Sequence, residues 1–348
     1  MYKRQPPAFF EDLGIRYLGP YDGHDVEAIE SALQNAKQFE APTVVHILTQ
    51  KGRGYAPAEN DAIKLMHDTG SIRPGSYTAA FMDTLCKLGE SHTDLVAITA
   101  AMPDSTGVLA FEERFPERCI DVGIAEQHAM TMATGLAMAG MRPVVAVYST
   151  FLSRAFDQLN LDAGLHGQHV VLALDRAGVT GDDGPSHHGV LDMVLCLKVP
   201  GMTVFAPSSY QELQVMLTDA VELCEGPASV RWPKTAAVEV DSEDVGSGLA
   251  ARLVRSGGDR RVCLIGVGKM LAAAMEAAEI LEAEGVRATV WDPRVVKPLD
   301  QSMLEDAASH DLVVTIEDGF REGGAGTAIE MALRDMHSRV RVEVLGVP

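Results

Sequence analysis

Glu126 is the residue of this sequence best placed to do chemistry. It lies in Asp121-Val-Gly-Ile-Ala-Glu-Gln-His128, between a short β-branched run, 119–122, and a small-residue stretch, 126–139 (EQHAMTMATGLAMA). The run reads as a strand, and the stretch as a helix that Gly140 stops. That puts Glu126 at a strand-to-helix switch, at the carboxyl end of a parallel strand, where α/β sheets place their ligands. The helix is too rich in Ala, Met and Gly for a surface. Its first carboxyl would therefore stand in a partly dry site, which favours the protonated form. The plainer alternative is a Glu that only complements the helix dipole.

Other chemistry-bearing side chains share this position. Met102, Phe151, Arg176 and Arg231 all fall just past expected strand ends. One edge of one sheet would collect them, which supports a single site independently of any motif. The strands that must carry them are 95–99, 119–122, 143–148, 170–174, 203–206 and 228–231, with helices at 78–88, 126–139, 152–165 and 211–222. Such alternation implies a parallel sheet covered on both faces. An αβ unit precedes it: Asp25 opens a helix with Val26, Ile29, Leu33 and Ala36 on one face, and a strand follows at 43–49. Beyond an acidic, Gly/Ser-bearing stretch at 234–248, strands at 263–267, 288–291, 312–316 and 340–345 alternate with helices at 271–283 and 327–336. Gly266-Val-Gly268 lacks the third glycine of a dinucleotide fingerprint, so NAD binding is rejected. His187 and His188 have no third metal ligand at useful spacing.

The totals bound the rest. The chain has 348 residues, enough for two or three domains, with 47% hydrophobic and 22% charged residues. Lys plus Arg is 29 against Asp plus Glu at 49, a net charge of -20. This argues against nucleic acid or an anionic membrane as partner. A phosphorylated substrate would need basic residues gathered locally. The 5 cysteines are scattered with no C-x-x-C, which fits reduced thiols in the cytoplasm. No signal peptide or 18-residue apolar run is visible.

In order along the chain, KGRGY (51–55), DVGIAEQHA (121–129), YSTFLSRAFDQ (148–158) and DRAGVTGDDGPSHHG (175–189) carry a resemblance. They closely resemble the 1-deoxy-D-xylulose-5-phosphate synthases, thiamine-diphosphate enzymes related to transketolase. The resemblance begins at Phe9 and covers nearly the whole chain; MYKRQPP (1–7) fits nothing in the family. It implies an α/β fold of a parallel-sheet, pyrimidine-type domain (76–233), a linker (234–249) and a transketolase C-terminal-like α/β domain (250–348) that stops before the family's final helix. Residues 1–75 would be a remnant of the first, diphosphate-binding domain. The implied reaction condenses pyruvate with D-glyceraldehyde 3-phosphate, with decarboxylation, to 1-deoxy-D-xylulose 5-phosphate. That is a first step of isoprenoid synthesis that also feeds thiamine and pyridoxal synthesis. A cytoplasmic homodimer with no nucleic-acid or membrane partner is expected.

Site roles follow from the same resemblance. Glu126 would hydrogen-bond N1′ of the cofactor's aminopyrimidine, Phe151 would stack on that ring, and Ile124 would press on the cofactor. Tyr55 would contact its middle, and His67 would face the reacting centre. Tyr148, Arg154, Arg176, Asp183 and Arg231 match substrate-binding residues, and His187 matches a proton shuttle. Read from their own neighbourhoods, Tyr55 is equally a loop aromatic packing on Pro57, and Phe151 a core residue. His67 is equally an exposed loop His, and each Arg a surface partner for an acid. The family holds Mg²⁺ through Gly-Asp-Gly and a later Asn, and no Gly-Asp-Gly occurs here. No residue of this chain is assigned to metal, the ligands being expected in a missing amino-terminal part, and the chain is expected to be inactive alone. Two other readings compete: a β-type subunit of a thiamine-dependent 2-oxoacid dehydrogenase, and a non-catalytic protein on this scaffold. KGRGY and DRAGVTGDDGPSHHG argue against the first, and the retained Glu126, Phe151 and arginines against the second.

Overall fold

The structure is a computed structural model that describes residues 8–62, 65–67 and 71–348. MYKRQPP lies outside the described residues. The chain divides into two compact units, 1–70 and 71–348.

The first unit runs α1 (Ala8–Asp12), β1 (Arg16–Asp22), α2 (Val26–Ala36), β2 (Thr43–Leu48) and α3 (Ala56–Glu59). Asp25 caps α2, its carboxylate accepting the Ala28 N–H at 3.0 Å. β1 and β2 pair in parallel as a two-stranded sheet. The expected apolar stripe of α2 forms but is not buried: Val26 is 76% exposed and Leu33 53%. Parallel sheets are normally covered on both faces, and the described residues of this unit do not supply that cover.

The second unit opens with α4 (Tyr77–Ser91), whose Ser76 cap accepts the Ala79 N–H at 3.2 Å. There follow β3 (Leu95–Thr99), α5 (Leu109–Arg114), β4 (Cys119–Asp121), α6 (Glu126–Met138) and β5 (Arg142–Tyr148). Next come α7 (Phe156–Gln158), β6 (Val171–Asp175), α8 (Asp192–Lys198), β7 (Thr203–Phe205), α9 (Tyr210–Glu222) and β8 (Ala228–Arg231). The carboxy-terminal part contributes β9 (Arg252–Arg255), β10 (Val262–Gly266), α10 (Met270–Ala283), β11 (Thr289–Asp292) and β12 (Val295–Lys297). It ends with α11 (Gln301–Ala308), β13 (Leu312–Phe320), α12 (Ala325–Asp335) and β14 (Arg341–Val347).

One sheet has the order β12-β7-β8-β6-β5-β3-β4, the other β14-β13-β10-β11-β9. Every residue of β3, β6 and β8 is buried, as parallel strands covered on both faces require. α4 and α9 pack one core on the larger sheet through Phe81, Leu85, Leu213 and Met216. α6 and α8 pack the other through Ala129, Met130, Met193 and Cys196. No described helix is long and apolar enough to cross a membrane.

One feature departs from the sequence expectation. The run 152–165 is not one helix: a 3₁₀ segment (Ser149–Ala155) passes through α7 into a π segment (Leu159–Gly164). Gly164 ends it against Val199, where a Cβ would come within 2.7 Å of the Val199 side chain. Residues 234–249 link the two sheets of the second unit. β12, from beyond that link, joins the first sheet antiparallel to β7, pairing Val295 with Phe205. The fully buried Arg294 donates from Nε to Glu212 Oε2 at 2.7 Å, and Ser208 Oγ donates to Asp292 Oδ2 at 2.6 Å. Lys297 Nζ donates to the carbonyls of Leu197 and Val199 at 3.0 and 2.6 Å.

Candidate active site

The carboxyl ends of β4, β5 and β6 build one cluster. At the end of β4, Asp121 Oδ1 accepts the N–H groups of Ala101 (2.7 Å) and Gly123 (2.9 Å). Gly123 turns the chain with φ +70°, a conformation that a Cβ disfavours. α6 then starts at Glu126, which is 3% exposed. Its Oε2 has no hydrogen-bond partner among the described residues. The half-exposed Arg154 guanidinium approaches it at 3.6 Å, beyond hydrogen-bond reach. A buried acceptor left in this way costs free energy until a donor arrives.

Around it lie the side chains from β5 and the segment that follows. The Tyr148 and Phe151 rings stack, with centroids 5.7 Å apart and planes at 14°. Arg154 Cζ lies 5.5 Å from the Phe151 centroid. His187 meets Phe151 edge-on at 5.6 Å, with its Nδ1 3.0 Å from Ser186 Oγ. At the end of β6, Arg176 places Cζ 3.8 Å over the Tyr148 ring. Arg176 holds φ +62°, a strained conformation for a non-glycine residue. Asp175 supports it, accepting its N–H (2.6 Å) and Nη1 (2.8 Å) as well as the Thr78 hydroxyl (3.0 Å). Burial pushes the Asp175 carboxyl up to about 6, against the pull of Arg176 and Thr78. Asp183 lies 3.7 Å from Arg176 Nε, and its two oxygens accept from Lys234 Nζ at 2.6 and 2.8 Å.

Glu126, Arg154, Phe151, Tyr148, His187, Arg176 and Asp183 thus form one continuous chain of contacts. Ile124 stands 78% exposed, two residues before Glu126. Tyr55 and His67 belong to the first unit, where Tyr55 is 58% exposed at the start of α3 and His67 is exposed.

Arg231 does not stand open to a ligand, as a strand-end arginine would. It is buried, donating from Nε and Nη2 to Asp192 (2.8 and 3.3 Å) and from Nη1 to Asp318 of β13 (2.8 Å). Burial works against its charge, and the two carboxylates outweigh that, so the guanidinium holds its proton more firmly than usual. Arg231→Ala would leave Asp192 and Asp318 buried without this cation. We expect it to lose roughly 3–5 kcal/mol in denaturant unfolding. A loss within ordinary surface-mutant range would mean that the bridge is not formed in solution.

Two supporting residues escaped the sequence reading. Asp175 opens the DRAG run directly before Arg176, and only its burial marks it as a support. Lys234 follows β8 closely enough for the strand-end argument to have included it.

Comparison with known proteins adds the following. The family described as "Transketolase, pyrimidine binding domain" matches residues 74–238, and "Transketolase, C-terminal domain" matches 250–348. An amino-terminal family described as "1-deoxy-D-xylulose-5-phosphate synthase" matches residues 2–49, so the likeness begins within MYKRQPP and not at Phe9 as expected. The chain is 48% identical to a protein of that name from Mycolicibacterium gilvum (strain PYR-GCK), over 94% of this chain and 54% of the relative. It is 46% identical to one from Thermobifida fusca (strain YX), over 99% of this chain and 56% of the relative. A solved structure titled "Split gene transketolase, inactive beta4 tetramer" is 31% identical at a TM-score of 0.71, covering 80% of this chain and 90% of that one. The chain spans about half the length of the curated relatives it matches.

Proposed function

The chain belongs to the transketolase family, and from that premise we propose that it is the pyrimidine-binding and carboxy-terminal portion of a 1-deoxy-D-xylulose-5-phosphate synthase. Its reaction would join pyruvate to D-glyceraldehyde 3-phosphate with loss of CO₂. The observation that carries this reading is Glu126: a buried carboxyl with an unpartnered oxygen, at a strand-to-helix switch, beside stacked aromatic rings.

Those residues suit one end of thiamine diphosphate. Glu126 Oε2 offers the hydrogen bond that an aminopyrimidine nitrogen needs, Phe151 offers a ring to stack on, and Ile124 an exposed apolar contact. When bound, the cofactor supplies an electron sink for the decarboxylation. The protein's share is binding, orientation and proton control. Glu126 shares a proton at Oε2 in a water-poor position, and His187 moves one at its ring nitrogens. Arg154 and Arg176 bring positive charge to a substrate phosphate within a chain of net charge -20, and Asp183 accepts from a substrate hydroxyl. Tyr148 supports the acceptor side beneath Arg176. Mg²⁺ belongs to the diphosphate end, to which no residue of this chain is assigned. A second copy of the chain is the proposed partner, in a division of 1–75, 76–233, 234–249 and 250–348.

Arg154 provides a test of the substrate assignment. With the chain fused behind the amino-terminal half of the M. gilvum relative, Arg154→Ala should raise KM for D-glyceraldehyde 3-phosphate by about ten- to a hundredfold. That is the scale of one charge-assisted bond of roughly 1.5–3 kcal/mol. KM for pyruvate should stay nearly constant. Equal effects on both substrates would show that Arg154 acts on Glu126 or on packing, and would remove it from the phosphate site.

A further inference from the structure

The loop from Arg176 to Val190 carries Arg176, Asp183 and His187, and its neck is a reciprocal pair of hydrogen bonds. The Gly178 N–H donates to the Gly189 carbonyl at 2.8 Å, and the Gly189 N–H to the Gly178 carbonyl at 2.9 Å. The neck is gripped from the carboxy-terminal sheet. The Phe320 N–H of β13 donates to the Val190 carbonyl at 2.9 Å. Two residues earlier, the 8%-exposed Asp318 puts its carboxylate so close to Gly178 that a Cβ there would overlap it. Gly178 also holds φ +78°, so glycine is required on both counts. Asp318 also meets two cations, Arg231 Nη1 at 2.8 Å and Lys269 Nζ at 3.4 Å. Burial would raise the Asp318 carboxyl, but Arg231 and Lys269 outweigh it and hold it below the usual carboxylate range. The group is therefore an anion wedged between two cations and a glycine neck.

We propose that Asp318 is a positioning residue: from the carboxy-terminal sheet it clamps the neck of the 176–190 loop and, through Arg231, fixes where that loop's Arg176, Asp183 and His187 stand. That the loop binds substrate rests on the function proposed above; the clamp is a property of this chain alone. The carboxy-terminal half thereby acts on the site without touching a ligand.

The test uses the full chain with neither cofactor nor substrate, so its failure leaves the functional reading standing. Amide hydrogen exchange is followed by NMR in the wild type, in Asp318→Asn and in Ser208→Ala. The last of these removes a different contact between the two sheets, the bond to Asp292. Asp318→Asn should speed exchange at Gly178 and Gly189 at least tenfold and leave β6 unchanged. It should also loosen the Arg231 Nη1 group, which Asp318 holds, while the Nε–H bonded to Asp192 stays fixed. Ser208→Ala should leave the neck as it was. Gly178→Ala approaches from the other side and serves if Asp318→Asn does not fold. It should displace the carboxylate and alter the Arg231 side-chain signals, which strain at residue 178 alone would not move. The proposal falls if the neck keeps its protection in Asp318→Asn or if Ser208→Ala loosens it equally. It also falls if Gly178→Ala leaves the Arg231 signals in place.

Discussion

Replacing Glu126 with Gln should lower kcat of the chain fused behind the amino-terminal half of the M. gilvum relative by about 10²-fold or more, the scale of a lost acid–base contact. The carboxyl sits at the first residue of α6, 3% exposed, with one oxygen that has no hydrogen-bond partner among the described residues. Gln keeps the shape and can still hydrogen-bond. It cannot hold a shared proton that moves between carboxyl and ring nitrogen. The loss should therefore fall on kcat, with small changes in KM for either substrate. Stability should change little, because Gln fills the same space. Thermal unfolding of the variant separates this from misfolding. If Glu126 only complemented the helix dipole, the change would cost a few tenths of a kcal/mol and leave turnover near normal.

The second large effect expected is that the 348-residue chain alone should show no synthase activity and should bind thiamine diphosphate weakly, without Mg²⁺ dependence. The cofactor has two ends, and the groups gathered around Glu126 suit the aminopyrimidine. The diphosphate carries most of the charge and would approach a chain of net charge -20. Holding that charge without a metal is unfavourable by several kcal/mol, and each 1.4 kcal/mol removes about tenfold in affinity. Arg154 and Arg176 are assigned to the substrate phosphate and not to the diphosphate. Titration calorimetry with and without Mg²⁺ reads the answer. Tight, Mg²⁺-dependent binding would reveal a metal site among groups assigned no such role.

How legible the site was in the sequence depended on range. β3, β5 and β6 stand out as β-branched or aliphatic runs because parallel strands are buried on both faces. Residues that follow such runs share an edge, so Glu126, Phe151 and Arg176 were found together. Arg231 obeyed the same rule and still went elsewhere. Its partners Asp192 and Asp318 are 39 and 87 residues away, and no local pattern encodes a charge pair of that range. β12 was invisible for a related reason: a three-residue strand before a proline gains its identity only from the β7 edge it joins. The stripe on α2 was read correctly as a pattern. Its exposure was not legible, since periodicity says that a face is apolar and not what covers it.

Product analysis tests the central claim most directly. The chain is fused behind the amino-terminal half of the M. gilvum relative, loaded with thiamine diphosphate and Mg²⁺, and given pyruvate and D-glyceraldehyde 3-phosphate. The fusion should release CO₂ and 1-deoxy-D-xylulose 5-phosphate in equal amounts, and the Glu126→Gln fusion almost none. A folded, cofactor-loaded fusion that makes no such product, or makes it equally well without Glu126, would contradict the function proposed for this chain.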